Sequence, residues 1–89
     1  MLPLGKVVGT FGALFAFVGA LDEDLSSFLD RHASGDWGEV DEHDRQANEY
    51  AVEHGLRVLS AYTLSSGAKI WVITEADRSS TTILLPSDY

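Results

Sequence analysis

LRVLSAYTLSSGAKIWVITEADRSSTTILL, residues 56 to 85, decides the fold, because hydrophobic residues here recur at every second position instead of every third or fourth. Three runs rich in Val, Ile, Thr, Tyr and Trp follow one another, at residues 56–64, 69–74 and 81–85. Ser65-Ser66-Gly67 predicts a hairpin loop in which Gly67 takes a left-handed conformation. The stretch therefore predicts a three-stranded antiparallel meander.

The residues before this stretch have the period of helices. A first helix is predicted over residues 10–20, capped by Thr10, and Phe17 falls off its apolar stripe. Either this helix is buried on two sides or Phe17 adds to an exposed patch that a partner covers, and we favour burial. The stripe consists of four residues with helical spacing: Phe11, Leu14, Phe15 and Val18.

Two further helices are predicted, from about residue 22 to Ala33 and from Asp41 to a stop signal at Gly55. Acidic residues favour the start of the second helix, and Asp41 can cap the third. The inward stripe of the third helix is Ala47, Tyr50, Ala51 and His54. The chain is thus predicted to be a single α+β domain, residues 1–89, with three N-terminal helices followed by the three-stranded antiparallel meander.

The net charge of −8 is concentrated in the middle of the chain. Eleven carboxylates between Asp22 and Glu53 stand against Arg31 and Arg45, a balance of −9. Such a surface repels phosphate backbones, so we expect no direct binding of nucleic acid and a basic protein as partner.

Metal and cofactor sites have little support in the sequence. The absence of cysteine excludes thiolate ligands and nucleophiles. His43 and His54 would lie about 16 Å apart along one helix, too far to share a metal ion. We therefore predict neither a metal nor another cofactor.

Fifteen residues without a charge, from Val7 to Leu21, follow Lys6 and resemble a short signal peptide. The run is shorter than the roughly 20 residues of a bilayer span. We favour a buried helix of a cytoplasmic protein, with no membrane contact.

Polar residues are dense between the last two predicted strands. Asp77 is typical of a turn residue that bonds its own backbone two residues on, and we expect Glu75 and Arg78 to pair across the loop mouth. The alternative is a metal-independent ribonuclease-like site, with Glu75 as base, Arg78 as phosphate clamp and a histidine as acid. Ser79 and Thr82 would orient the substrate, and His32 or His54 would supply the histidine.

A tryptophan flanked by glycines lies between the second and third helices, in Gly35-Asp36-Trp37-Gly38. Trp37 either plugs the end of the core, with its indole N–H bonded to a carbonyl, or forms a protein-binding hot spot in an acidic loop. The sequence leaves both interpretations open.

Segments spread over nearly the whole chain resemble a widespread group of short bacterial proteins catalogued as plasmid-related or mobile-element proteins of unknown function. The most specific are Gly35-Asp36-Trp37-Gly38 and the block from Ile73 to Ser79. The resemblance implies a cytoplasmic accessory protein in the contest between mobile DNA and host defence. The other segments are Leu4 to Val8, Gly12 to Leu14, Arg31-His32, Asp44 with Asn48, Leu59 to Tyr62, Ile70 to Val72, Thr82 to Pro86, and Tyr89.

Together these observations favour a small, acidic, non-catalytic interaction module that binds a basic nucleic-acid-handling protein as a host-defence antagonist. Two alternatives remain, the ribonuclease-like enzyme and a structural homodimer joined through the apolar first helix. The predicted partner-binding residues are Asp36, Trp37, Glu75, Asp77 and Arg78.

Overall fold

The computed structural model describes residues 1–20 and 22–89, and these residues form three α-helices and one mixed four-stranded sheet. The strands lie in the order β1-β4-β3-β2. The α+β class is therefore confirmed. The elements are β1 (Lys6–Gly9), α1 (Phe11–Val18), α2 (Leu25–Ala33), α3 (Glu42–His54), β2 (Val58–Thr63), β3 (Lys69–Thr74), β4 (Ser80–Leu84) and a final 3-10 turn (Pro86–Asp88).

The predicted three-stranded antiparallel meander, with all helices N-terminal to it, is wrong in one respect. A fourth strand, β1, precedes every helix and joins the sheet. β1 pairs in parallel with β4, so that Lys6 lies opposite Ser80 and Gly9 opposite Ile83. Four residues ending in glycine carry little strand signal of their own. Their partner lies at the other end of the chain, where no local pattern indicates the pairing.

The predicted hairpins between the last three strands are confirmed. β2 and β3 pair from Val58 opposite Thr74 to Thr63 opposite Lys69, and Gly67 in their loop has φ +91°. In the second loop the amide of Arg78 donates to the carbonyl of Glu75 and closes a turn.

The helices cover one face of the sheet. Val58, Ser60 and Tyr62 of β2 point to this face and are buried. They are joined there by other buried residues of β3 and β4: Ile70, Val72, Thr74, Thr81 and Ile83.

The orientation predicted for α1 is wrong, because its apolar stripe faces solvent. The helix packs on β4 with its small side instead: Ala13 is fully buried, and a Cβ on Gly12 would lie 2.9 Å from Leu85. Phe17 fills the remaining space and meets the ring of Phe28 edge-on at 5.9 Å. Small residues let the helix approach the sheet closely, and this gain in packing leaves the large side chains of the stripe outside.

The two later helices begin at aspartates. Asp24 caps α2, whose first residue, Leu25, lies three residues after the predicted start near residue 22. Asp41 caps α3 by accepting a hydrogen bond from the amide of Asp44, as predicted. Gly55, at φ +67°, ends α3. Leu21, the last residue of the charge-free run, lies outside the described residues.

The predicted inward stripe of α3 is only partly correct. Ala51 is buried, but Ala47, Tyr50 and His54 are exposed, and Asn48 is buried instead. The amide of Asn48 donates to the carbonyl of Leu59 and accepts from its N–H, at 2.7 and 3.1 Å. A polar residue is thus buried because it completes the hydrogen bonds of a strand edge. Of the helices described, none is long and apolar enough to cross a membrane.

Candidate functional site

Asp36 lies at the surface in an ion pair with Arg31. The Arg31 guanidinium donates to both carboxylate oxygens, at 2.7 and 3.5 Å, and this contact lowers the pKa of Asp36. The carboxylate also accepts from the amide of Gly38, and the Asp36 carbonyl accepts from the Tyr62 hydroxyl at 2.6 Å. Asp36 therefore fixes the loop that carries Trp37.

Trp37 is buried, with 4 % of its surface exposed, and meets the ring of His32 edge-on at 5.7 Å. The interpretation of Trp37 as a plug of the core is correct for the ring, which is buried. The expected hydrogen bond to a carbonyl is not formed: among the described residues Nε1 has no hydrogen-bond partner. Burial also removes the exposed anchor that the hot-spot interpretation needs.

The loop from Glu75 to Ser79 is built as a turn. As predicted, the Asp77 carboxylate accepts from the amide of Ser79, and it also accepts from the Ser79 hydroxyl at 2.6 Å. The predicted pair between Glu75 and Arg78 is wrong, because Glu75 pairs with Arg57 at 3.2 Å.

Arg78 lies against the C-terminal end of α3. Its guanidinium donates to the carbonyls of Ala51 and Leu56, at 3.0 and 2.7 Å, and to that of Glu75 at 3.1 Å. The C-terminal end of a helix carries partial negative charge, which favours a cation there. Arg78 is held by these carbonyls, and Glu75 pairs with Arg57 instead.

A buried chain of hydrogen bonds runs from Ser60 through His32, Thr74 and Thr81 to the carbonyl of Leu4, with distances of 2.6, 2.8, 2.7 and 2.7 Å. The carbonyl can only accept, so the Thr81 hydroxyl donates to it. This determines the next two donors in turn. Thr74 donates to Thr81, and Nε2–H of His32 donates to Thr74.

His32 therefore carries a proton on Nε2. It is fully buried, and burial lowers its pKa to about 4, with a further contribution from the positive charge of Arg78. The imidazole is thus neutral, and its Nδ1 accepts from the Ser60 hydroxyl. The sequence did not predict this chain, because the three hydroxyls come from three different strands.

The groups of the ribonuclease-like alternative are each engaged in other contacts. Both nitrogens of His32 are bonded inside the core, Glu75 pairs with Arg57, and Arg78 holds backbone carbonyls. His54 stacks on Tyr50 at 3.8 Å and bonds to its carbonyl. The structure does not bring these groups to one substrate-accessible point.

The side chains of Asp41, His43 and Asp44 form an exposed cluster whose possible ligand atoms lie within 4.8 Å of one another. The carboxylate of Asp41 is already the cap of α3. Exposed acidic groups of this kind are no evidence for a metal ion, and we assign none.

Trp37 and Arg78, far apart in sequence, line one cavity of about 400 Å³. It lies between the N-terminal segment, the end of α2 and the outer side of α3. The N-terminal contribution could not be predicted, since the segment before β1 has no hydrophobic pattern of its own. The lining residues are Met1, Leu2, Pro3, Ala33, Ser34, Gly35, Trp37, Glu49, Val52 and Arg78.

A second feature is an apolar surface formed by α1 and β1. We call it the α1–β1 face and define it by five exposed or largely exposed residues. Gly9 joins its two parts, because a Cβ there would lie 2.9 Å from Leu14. The rings of Phe11 and Phe15 stack at 6.0 Å. The five residues are Val7, Phe11, Leu14, Phe15 and Val18.

The two edges of the sheet differ. The outer edge of β2 is covered, because Asn48 bonds to Leu59 while Ala61 exchanges backbone hydrogen bonds with Trp37 and Glu39. The outer edge of β1 has no neighbouring strand in the part of the chain that the structure describes. Unpaired edges are ready to pair with another chain, and proteins commonly cover them.

No protein-family model matches this chain, and neither a curated protein nor a solved structure matches it.

Proposed function

We propose that this protein is a non-catalytic interaction module that associates with a second copy of itself through the α1–β1 face. One observation carries the proposal: large apolar side chains are exposed side by side, next to an uncovered strand edge. Phe11 is 84 % exposed, Phe15 65 % and Val18 61 %. Single exposed apolar residues are ordinary, but a contiguous patch is typical of an interaction surface.

The backbone of β1 suits pairing with an identical strand. The amides of Lys6 and Thr10 donate inward to β4, to the carbonyls of Ser79 and Ile83. Because hydrogen-bonding directions alternate along a strand, the N–H and C=O groups of Val7 and Gly9 point outward. Two antiparallel copies of β1 can then exchange these bonds about a two-fold axis at Val8.

Charge favours this register. Between Val7 and Ala20 the chain has no charged residue, so two copies meet without the repulsion that their net charge of −8 would cause elsewhere. Lys6 of one copy lies opposite Thr10 of the other. The Thr10 hydroxyl donates to the carboxylate of Asp88 at 2.7 Å, so a positive and a negative side chain approach each other at both ends of the pair.

Sedimentation equilibrium across the micromolar range tests the proposal. We expect a dimer that Phe15→Lys converts to a monomer while the circular dichroism spectrum stays unchanged. Leu56→Lys is the matched control, because Leu56 is 47 % exposed outside the α1–β1 face and the charge change is the same. A wild-type protein that is monomeric throughout, or a dimer that Phe15→Lys leaves intact, would overturn the proposal.

A second candidate is an acidic module that binds a basic nucleic-acid-handling protein, and the outer face of α3 favours it. Glu42, Glu49 and Glu53 are exposed there, with Arg45 pairing the first two at 2.6 and 3.6 Å. Excess carboxylates steer basic partners toward such a face. The cytoplasmic role in mobile elements remains part of this candidate and is supported by the sequence resemblance alone.

Capture from a bacterial lysate at low and high salt separates the two candidates. An acidic module recovers a basic nucleic-acid-handling protein at low salt, loses it in Glu53→Lys and keeps it in Phe15→Lys. If the recovered protein is retained at high salt and also by Glu53→Lys, the second candidate is wrong.

A further inference from the structure

We infer that Lys6 of one copy pairs with Asp88 of the other, and that two such ion pairs select the direction and register in which the β1 strands meet. The pairing rests on the proposed function, because it concerns the same dimer. It assigns the choice of orientation to two charged residues that lie outside the α1–β1 face.

Lys6 is exposed, and its ammonium group has no carboxylate or carbonyl partner among the described residues. Every other lysine and arginine side chain has one. Arg78 donates to three carbonyls, and four others pair with a carboxylate at 2.6 to 3.8 Å. Lys6 is therefore the cation that is available to another molecule. The four carboxylate-bound side chains are those of Arg31, Arg45, Arg57 and Lys69.

Asp88 supplies the negative charge from the other end of the chain. One oxygen of its carboxylate accepts from the Thr10 hydroxyl at 2.7 Å and from the amide of Leu85 at 3.0 Å. These two bonds lower the pKa of Asp88, so the group is ionised at neutral pH. Neither donor is charged, so the carboxylate is held beside Thr10 and can still bind a cation.

Strand geometry brings the two charges together. In the proposed pairing, Val7 of one copy exchanges both backbone hydrogen bonds with Gly9 of the other. Lys6 and Thr10 then form the next pair along the strands, which is not hydrogen-bonded. The side chains of such a pair lie on one face of the sheet, with Cα atoms about 4.5 Å apart. Because Asp88 is bonded to that Thr10, the ammonium group of Lys6 can reach its carboxylate.

The alternative arrangements lack these pairs. If the two-fold axis moves from Val8 to Val7, Lys6 lies opposite Val8 of the other copy and meets no carboxylate. Parallel strands in register would place Lys6 beside Lys6 and Asp88 beside Asp88, and like charges opposite each other are destabilising. The antiparallel arrangement about Val8 joins opposite charges at both ends, and the two-fold axis makes the two pairs identical.

Single cysteines test the register, because the chain contains no cysteine of its own. About an axis at Val8, Val8→Cys places two thiols in a directly opposed pair, whose Cα separation of about 4.5 Å suits a disulfide. Val7→Cys places them diagonally, about 7–8 Å apart, which is too far. Under mild oxidation we expect Val8→Cys to form a covalent dimer and Val7→Cys to remain largely reduced.

Sedimentation equilibrium of charge variants tests the ion pair. Lys6→Met and Asp88→Asn each remove one charge, and the asparagine still offers an oxygen to Thr10. Each should weaken association by about two- to thirtyfold, since each removes both exposed pairs of the dimer. The double variant should be no weaker than either single one. Lys69→Met is the matched control, because Lys69 pairs with Glu39 of its own chain, and its association should stay unchanged.

The outcomes separate this inference from the proposed function. A wild-type protein that is monomeric throughout overturns both. A dimer that forms its disulfide through Val7→Cys in preference to Val8→Cys overturns the register alone. A dimer whose association is unchanged by Lys6→Met, or in which the effects of Lys6→Met and Asp88→Asn add up, overturns the ion pair and leaves the apolar contact in place.

Discussion

The guanidinium of Arg78 donates a hydrogen bond to the carbonyl of Ala51, 27 residues earlier, and joins the second hairpin to the end of α3. The same carbonyl also receives the amides of Gly55 and Leu56. Arg78 is the non-glycine residue with positive φ among those described. A strained backbone is retained where surrounding contacts over-determine it, and here three carbonyls do so. The dense polar loop is thus an attachment between sheet and helix.

We therefore expect Arg78→Ala to lower the free energy of unfolding by about 2 kcal/mol, because carbonyls at the helix end lose a charged donor. Chemical denaturation monitored by circular dichroism measures this. Arg57→Ala is the matched control, since Arg57 belongs to an exposed pair with Glu75, and its effect should stay below about 1 kcal/mol. Equal losses in the two variants would show that Arg78 acts only as a surface charge.

The neutral state of His32 predicts a pH dependence of stability. Its pKa falls from 6.5 to about 4 on folding, so the unfolded chain takes up a proton first as the pH decreases. The contribution of neutral His32 to the free energy of unfolding is fully present above pH 6.5. It decreases as the pH falls from 6.5 to about 4 and is lost below about pH 4. The difference in pKa corresponds to about 3 kcal/mol.

Denaturation at a series of pH values measures this loss, and imidazole nitrogen spectra identify its cause. The lowered pKa of Asp36 acts in a separate range, below its ordinary value of 3.8. We expect His32 to remain neutral and protonated on Nε2 at pH 5. A His32 that titrates near 6.5 in the folded protein would contradict its burial and the hydrogen bond that Ser60 donates to Nδ1.

The buried chain itself is tested by Thr81→Val, which keeps the shape of the side chain and removes its hydroxyl. The Leu4 carbonyl then loses its donor and Thr74 loses its acceptor, so we expect a loss of about 1–3 kcal/mol. Thr82→Val is the control, because Thr82 lies on the opposite face of the same strand. Hydrogen exchange should also speed up at the Lys6 amide, next to the freed segment. Unchanged exchange and stability would rule out a structural role for the chain.

Much of the fold could be predicted from sequence because its signals are local. The hairpins, the caps at Thr10 and Asp41, and the stop at Gly55 each depend on residues within one turn of one another. β1 could not be predicted, because its strand character comes from pairing with Ser80 to Ile83 at the far end of the chain.

The candidate site shows the same division. Asp77 was predicted as a turn residue from its own neighbours, whereas the partner of Arg78 lies on another element. The spacing of the apolar residues indicates the stripe of α1 but does not show which side of the helix faces the sheet. The side with small residues, including Ala13, faces the sheet because it allows the helix to approach most closely.

The side chain of Asn48 completes the backbone hydrogen bonds at the covered edge of β2, so variants of Asn48 should destabilise the protein. Asn48→Asp keeps an acceptor for the Leu59 amide but places a carboxylate against the Leu59 carbonyl, so we expect a loss of about 3 kcal/mol. Asn48→Ala should cost less, about 2 kcal/mol, and leave the edge open to pairing. Denaturation measures the order of the two variants, and light scattering detects association of Asn48→Ala. The reverse order would mean that Asn48 is not a backbone mimic.

The last prediction concerns Gly38, the residue after Trp37, where the backbone leaves no room for a side chain. Gly38 has φ +74°, and a Cβ there would lie 2.1 Å from the carbonyl oxygen of Ala61, where the backbones of the loop and β2 approach each other. Gly55 has a similar φ of +67° with nothing within 4 Å of its Cβ position. Gly55→Ala therefore measures the cost of the left-handed conformation alone, about 1 kcal/mol.

Gly38→Ala adds a collision with backbone, which cannot move without opening the Ala61 bonds to Trp37 and Glu39. We expect it to destabilise the protein by at least about 3 kcal/mol and to raise the exposure of Trp37, seen as a red shift of its fluorescence in a Trp71→Phe background. Equal effects of Gly38→Ala and Gly55→Ala would mean that the loop is free to move away from β2. Trp37 would then not be held at the cavity by the loop that carries it.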